Sequence, residues 1–160
     1  MKIDKTDLEI VRRLQKDGRM SHEQISKEMH LSRPAIHERI RRMEAAGVIR
    51  GYTTKVDWEA LGLSVGAYIF VRVTGDSLEV AHQILKLQDD DAMVEECHRV
   101  AGDWCLLVET RSASTNALQR LMDELRSIPG VTSTMTTITL STVLTDDSQS
   151  TDRPLTGQRN

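Results

Sequence analysis

Aromatic residues are almost missing from this chain. One Phe, two Tyr and two Trp make up 3% of 160 residues, so any core must be aliphatic. No apolar run approaches the roughly 18 residues that a transmembrane helix needs. The start, MKIDKTDLEI, lacks the apolar centre of a signal peptide. There are only two cysteines, Cys97 and Cys105, most simply read as reduced thiols. The expectation is a cytoplasmic protein with no membrane partner. No metal, cofactor or catalytic constellation is expected either. Cys97-His98 with Cys105 fits no zinc spacing, and neighbouring strand residues point to opposite faces. Asp89-Asp90-Asp91 lacks the ligand order of a calcium loop and reads as a solvated turn. Glu95 and Glu96, also neighbours on a strand, should alternate faces rather than form a catalytic carboxylate pair.

Charge is present but unevenly placed. The formal net charge is −3. Residues 1–52 carry 12 Lys/Arg against 8 Asp/Glu, whereas residues 53–160 carry 9 against 16. A basic first third on an acidic remainder points to an anionic partner for the first third alone. The length suits one ordinary domain or two small ones.

The first third reads as three short helices. In DKTDLEIVRRLQKDGR, Leu8, Val11 and Leu14, with Ile10 beside them, recur at helical spacing. Asp4 is a fair N-cap and Gly18 a C-terminal stop. In SHEQISKEMH, Ser21 and Gln24 form a capping box, and Ile25 and Met29 a short apolar stripe. After a tight HLS turn, Ser32 caps a third helix that carries Pro34 in its first turn and ends at Gly47. Its inner face is Ile36, Ile40 and Met43. Short helix, tight turn and capped basic helix make a helix-turn-helix, and the β-prone VIRGYTTKV that follows reads as a wing.

With Ile36 facing inward, Pro34, Glu38, Arg41 and Ala45 lie on the outer side, flanked by His37 and Arg42. A pair such as Glu38 with Arg42 at i,i+4 is the ordinary reading of such a helix. Taken with the turn and the wing, the pattern points to double-stranded DNA, with phosphates and base edges meeting the exposed first turn. The residues expected at DNA are Ser21, Ser32, Arg33, Pro34, Ala35, His37, Glu38, Arg41, Arg42 and Arg50.

The remainder reads βαββαβ. WEALG suggests a short linker helix. Val65, Ala67, Ile69, Val71 and Val73 alternate along a strand. SLEVAHQILKLQ is an amphipathic helix capped by Ser77. AMVEECHRVAGDWCLLVETR gives two strands joined at Ala-Gly-Asp-Trp. STNALQRLMDELRSIPG is a helix with Leu118, Leu121, Met122 and Leu125 inward, stopped by Pro129 and Gly130. VTSTMTTITLSTVL is a long Thr-rich strand. The fold class is α+β: a winged helix-turn-helix at 1–52, a linker at 53–63, a ferredoxin-like domain at 64–144 and a polar tail at 145–160.

Four segments, LQKDGRMS, LSRPAIHERIRRMEAAGVIRGY, ECHRVAGDW and LRSIPGV, stand in an order and spacing that resembles the Lrp/AsnC (feast/famine) family of transcription regulators. The resemblance spans residues 3 to about 144. It implies a second domain that oligomerises into dimers, tetramers or octamers and binds a small effector, usually an amino acid, between subunits. The implied effector positions are Ala101, Gly102, Asp103, Trp104 and Cys105, with Thr134 and Thr136 opposite. The family loop commonly reads Gly-Asp-aromatic-Asp, and here Cys105 replaces the second acid. Ala101 replaces a small hydroxyl residue. Trp104 either stacks on an effector or fills an interface. Two alternatives stay open: a ligand-independent architectural DNA-binding protein, and a siroheme decarboxylase-like enzyme. The acidic second part, with Asp103 in its loop, argues against the enzyme.

Overall fold

The computed structural model describes residues 2–141, and the expected tail at 145–160 lies outside them. The chain divides into two compact units between Val56 and Asp57.

The first unit holds α1 (Lys5–Lys16), α2 (His22–Met29) and α3 (Arg33–Ala45). Ile10, Ile25, Ile36, Ile40 and Met43 make its core, with Val11, Leu14 and Met29 at the margin. One expected core residue is displaced: Leu8 is 51% exposed, while Asp7 is fully buried. Asp7, Ile10 and Leu14 share the inward face at i, i+3, i+7, so α1 is rotated to carry an acid inside.

Local chemistry sets the ends of these helices. Asp4 with Asp7, and Ser21 with Gln24, are capping boxes. Gly18 has no positive φ, and the C-cap of α1 is Asp17. The α2–α3 turn uses His30 in the left-handed region at φ 53°. Ser26 Oγ donates to the Leu31 carbonyl at 2.8 Å across that turn. Gly47, at φ 69°, closes α3 in a Schellman arrangement. The Val48 N–H bonds Met43 O at 2.9 Å and the Gly47 N–H bonds Glu44 O at 3.0 Å. Residues 48–56, expected to form a wing, take no strand. Instead the Tyr52 hydroxyl donates back to Glu44 at 3.0 Å.

The second unit is a four-stranded antiparallel sheet in the order β2-β3-β1-β4. The strands are β1 (Val65–Val73), β2 (Ala92–Arg99), β3 (Leu106–Ser112) and β4 (Val131–Ile138), with helices α4 (Ser77–Ile84) and α5 (Thr115–Ser127). Ile69 and Val71 of the central strand pack with Val108, Ile84, Leu121 and Leu125 on the helix side. Buried Thr110 donates to Ala67 O at 3.1 Å, which satisfies its hydroxyl inside the sheet.

Five sequence expectations change here. WEALG forms turns rather than a helix. The N-cap of α4 is Asp76, not Ser77. That helix stops at Ile84, because Leu87 O accepts from Val94 N at 3.3 Å and Gln88 bridges Met93. The strand β4 ends at Ile138, short of the expected run, whose last residues lie outside the described ones. A bulge between Val94 and Glu96 also sets both Glu95 and Glu96 opposite Glu109 rather than on alternate faces. Asp89, as expected, serves a turn: its carboxylate accepts from Asp91 N and Ala92 N, both at 2.7 Å.

Glycine is required at Gly130. Its φ is +95°, and a Cβ there would stand 3.0 Å from Thr74 O. Ile69 is the strictest test of packing, being fully buried on a central strand. Ile69→Ala is expected to destabilise the second unit by about 2–5 kcal/mol, read as a lower urea midpoint at unchanged m-value.

Candidate DNA-binding surface and effector loop

The outer face of α3 is assembled from its N-terminus. Ser32 accepts from Ala35 N at 3.3 Å, and Pro34 sits in the first turn, where its missing N–H removes no helical bond. With Ile36, Ile40 and Met43 buried, Arg33, Pro34, His37, Glu38, Arg41 and Arg42 are all exposed and Ala35 is half-buried. Arg33, Arg42 and Arg50 enter no ion pair among the described residues.

Glu38 pairs with Arg41, not with Arg42 as the i,i+4 rule suggests. The two bonds are 2.9 and 2.8 Å, a bidentate contact at i,i+3. The Arg41 guanidinium holds the Glu38 carboxyl below the usual carboxylate range, so Glu38 stays ionised. Ser21 and Arg33 come together in a shallow groove of about 350 Å³, alongside Met20, His22 and Glu23. A larger depression of about 550 Å³ lies on α1 beside Lys5, Leu8 and Arg12 and touches none of the expected DNA residues. Arg50 stands beyond the helix on irregular backbone.

Two features escaped the sequence reading. His22 meets His37 across the turn, Nδ1 to Nδ1 at 3.3 Å. Arg39 does not face outward with the other arginines. Its Nη1 donates to Asp4 Oδ2 and Asp7 Oδ1, both at 2.7 Å. The Asp4 carboxyl is held below its ordinary 3.8, first by the Asp7 N–H and then by Arg39. The signal for the pair was Asp7, the one acidic residue at a core-facing helical position, but its partner lies 32 residues away.

In the second unit the loop residues split between the two faces of the sheet. Gly102, at φ 132°, and exposed Ala101 and Asp103 make the turn. Trp104 lies on the face away from the helices, with its ring 6.1 Å from Phe70 and 5.0 Å from the Arg72 guanidinium. Arg72 Nε donates to Asp103 O at 3.0 Å and ties the loop to β1. Cys105 turns the other way, its sulfur 3.4 Å from Val73 N and packed at the core margin. The position of the second acid is thus taken by a thiol held against the Val73 backbone. Thr134 and Thr136 also lie on the helix side. Thr134 Oγ1 accepts from Arg126 Nε at 3.0 Å, and Thr136 Oγ1 lies 3.5 Å from Met122 Sδ. Within one chain, Trp104 and the two threonines are therefore not brought together. Cys97 is packed on the core side and burial pushes its thiol up, while His98 turns away to pair with Glu96 at 3.0 Å.

A capped, basic recognition-type helix ahead of a four-stranded βαββαβ unit defines a DNA-binding protein with a separate regulatory domain. The winged helix-turn-helix DNA-binding family model matches residues 3–50, and the Lrp/AsnC ligand binding domain matches residues 66–149. The chain belongs to the Lrp/AsnC family of transcriptional regulators. It is 38% identical to the HTH-type transcriptional regulator FL11 of Pyrococcus abyssi over 88% of this chain and 91% of that one. It is 31% identical to the solved structure of Bacillus subtilis LrpC, at a TM-score of 0.79, over 91% of this chain and 100% of that one. The feast or famine regulatory protein of M. tuberculosis, solved in complex with L-methionine, is 29% identical at a TM-score of 0.78, over 93% of this chain and 99% of that one. No helix among the described residues is long and apolar enough to cross a membrane.

The buried acid gives a direct test. Arg39→Ala leaves Asp7 without its charge partner, and an expected loss of about 3 kcal/mol follows for the first unit. Arg41→Ala, whose ion pair is exposed, should change stability by under about 0.5 kcal/mol. The double variant Asp7→Leu/Arg39→Met should recover much of the loss, because buried ion pairs replaced by apolar groups are often neutral. Denaturant unfolding of the three variants decides it.

Proposed function

We propose that this protein regulates transcription by reading operator DNA with the first turn of α3, as a homodimer or larger assembly, and that its second unit senses an amino acid or a related metabolite without catalysing a reaction. The observation that carries the DNA reading is the outer face of α3. Ser32, Arg33, Pro34, Ala35, His37, Glu38, Arg41 and Arg42 lie together on a helix whose opposite face is fixed in the core. Arg33 and Arg42 act on phosphates directly, with Ser21 and Arg50 at the flanks. Arg41 must exchange Glu38 for a phosphate, so its net contribution is smaller. Glu38 and His37 meet base edges in the major groove.

Support for assembly comes from the bare face of the sheet. Tyr68 is 37% and Met135 44% exposed there, beside Phe70 and Trp104. A second copy would cover this surface. Support for an amino-acid effector comes from the M. tuberculosis relative bound to L-methionine. Because Trp104 and the pair Thr134 and Thr136 lie on opposite faces of one sheet, a ligand touching both sets meets them from different copies. Ala101, Gly102, Asp103 and Cys105 then shape the loop that borders it, with Asp103 the acid nearest the ligand's ammonium. An effector held between copies shifts DNA affinity by favouring one assembly over another. Flat calorimetry against all amino acids, with DNA binding intact, would favour the architectural alternative.

Arg33→Ala and Arg42→Ala are each expected to flatten the log K against log[salt] slope for operator DNA by about 0.9 per subunit engaged, with the fold unchanged. Equal affinity and slope in both variants would defeat the assignment of α3. Light scattering on the full chain at micromolar concentration should give a dimer or larger species, and a monomer contradicts the assembly.

A further inference from the structure

His22 opens α2 and His37 lies on the exposed face of α3, and the backbone at both is anchored by buried neighbours, Ile25 and Ile36. Their Nδ1 atoms stand 3.3 Å apart, and their ring centres 5.2 Å apart. These two distances carry more information together than either does alone. Around one tetrahedral metal with Zn–N bonds of about 2.05 Å, two ligating nitrogens stand about 3.3 Å apart, and the ring centres, about 1.15 Å further out, about 5.2 Å apart. With one Nδ1 protonated, the same 3.3 Å contact is an N–H···N hydrogen bond, which a bound metal ion would replace.

We propose that His22 and His37 chelate a late first-row divalent transition-metal ion, with Zn²⁺ as the reference ion, through their Nδ1 atoms. Imidazole nitrogen suits zinc, copper and nickel rather than magnesium or calcium. No cluster of three or more His, Cys, Asp or Glu suited to a metal occurs among the described residues, so water completes the coordination sphere. The groove beside His22 leaves room for it, and Glu23 lines the same groove. The Glu23 carboxylate is engaged by Lys27 at 2.7 Å and stays outside the coordination sphere. Arg33 shares the groove and opposes the ion's charge, which keeps the site weaker than a closed structural zinc site. Bound metal would fasten the first residue of α2 to the body of α3 across the turn. It would also lay positive charge on the exposed helical face without needing DNA to be present.

Calorimetric titration of the tag-free full-length protein with Zn²⁺ tests the site, together with ¹⁵N-edited imidazole spectra of the chain's five histidines. One ion per chain at micromolar affinity is expected, with the ring signals of His22 and His37 moving. His22→Gln and His37→Gln should each weaken binding by about tenfold or more, since even outer-shell partners of metal ligands are worth that much. His30→Gln and His98→Gln should leave it unchanged. Circular dichroism checks that each variant is folded. Absence of binding at millimolar Zn²⁺ overturns the proposal, as does affinity that survives both substitutions. Binding lost only in Cys97→Ser or Cys105→Ser would place the ion at the thiols and overturn it equally.

Discussion

Asp7 places a carboxylate in the interior of a three-helix unit, and Arg39 reaches across from α3 to meet it. The two elements are thereby locked in one rotation. Burying Asp7 turns α1 so that Ile10 and Leu14 face inward and Leu8 faces out. Engaging Arg39 turns α3 so that Ile36, Ile40 and Met43 face inward and the remaining arginines face solvent. A purely apolar contact between such small helices would tolerate sliding and rolling. A charge pair with 2.7 Å bonds tolerates much less, because any slip leaves a buried carboxylate unpaired. The direction in which α3 presents its outer face depends on this contact.

The ends of α3 complete that placement. At its start Ser32 satisfies a free N–H and Pro34 presets the first turn. At its end the Gly47 Schellman arrangement satisfies two carbonyls. Between these stops the helix has a defined length and phase, so the exposed side chains hold fixed spacing. The arginines of this segment then divide by role. Arg39 holds the fold, Arg41 is shared with Glu38, and Arg33 and Arg42 remain available to a polyanion. Charge composition treats them as equivalent, whereas their environments do not.

The second unit is organised by the two faces of one sheet. Aliphatic side chains of alternate β1 residues meet α4 and α5, while Tyr68, Phe70 and Arg72 point the other way. The loop 101–105 inherits this division. Trp104 joins the bare face through Phe70 and Arg72, and Cys105 joins the packed face against Val73. Adjacent residues in sequence thus serve different surfaces.

Much of this was legible from residue order. Helical spacing, the Asp4 and Ser32 caps and the capping pair Ser21–Gln24 located three helices, because these interactions span three or four residues. The βαββαβ order followed from alternation and from turn residues at Gly102 and Gly130, and the exposed face of α3 followed from helix phase alone. Long-range choices were hidden. The inward turn of Asp7 depends on Arg39, the expected β wing lacked a strand to pair with, and the last turn of the helix expected through Gln88 yielded to bonds with β2. The separation of Trp104 from Thr134 and Thr136, and the meeting of His22 with His37, depend on how whole elements pack. Sequence determines what its near neighbours can satisfy, namely caps, periodicity and turns. Tertiary structure decides which distant groups share a buried space, because only there does the cost of an unpaired charge or an unmet hydrogen bond select one arrangement over another.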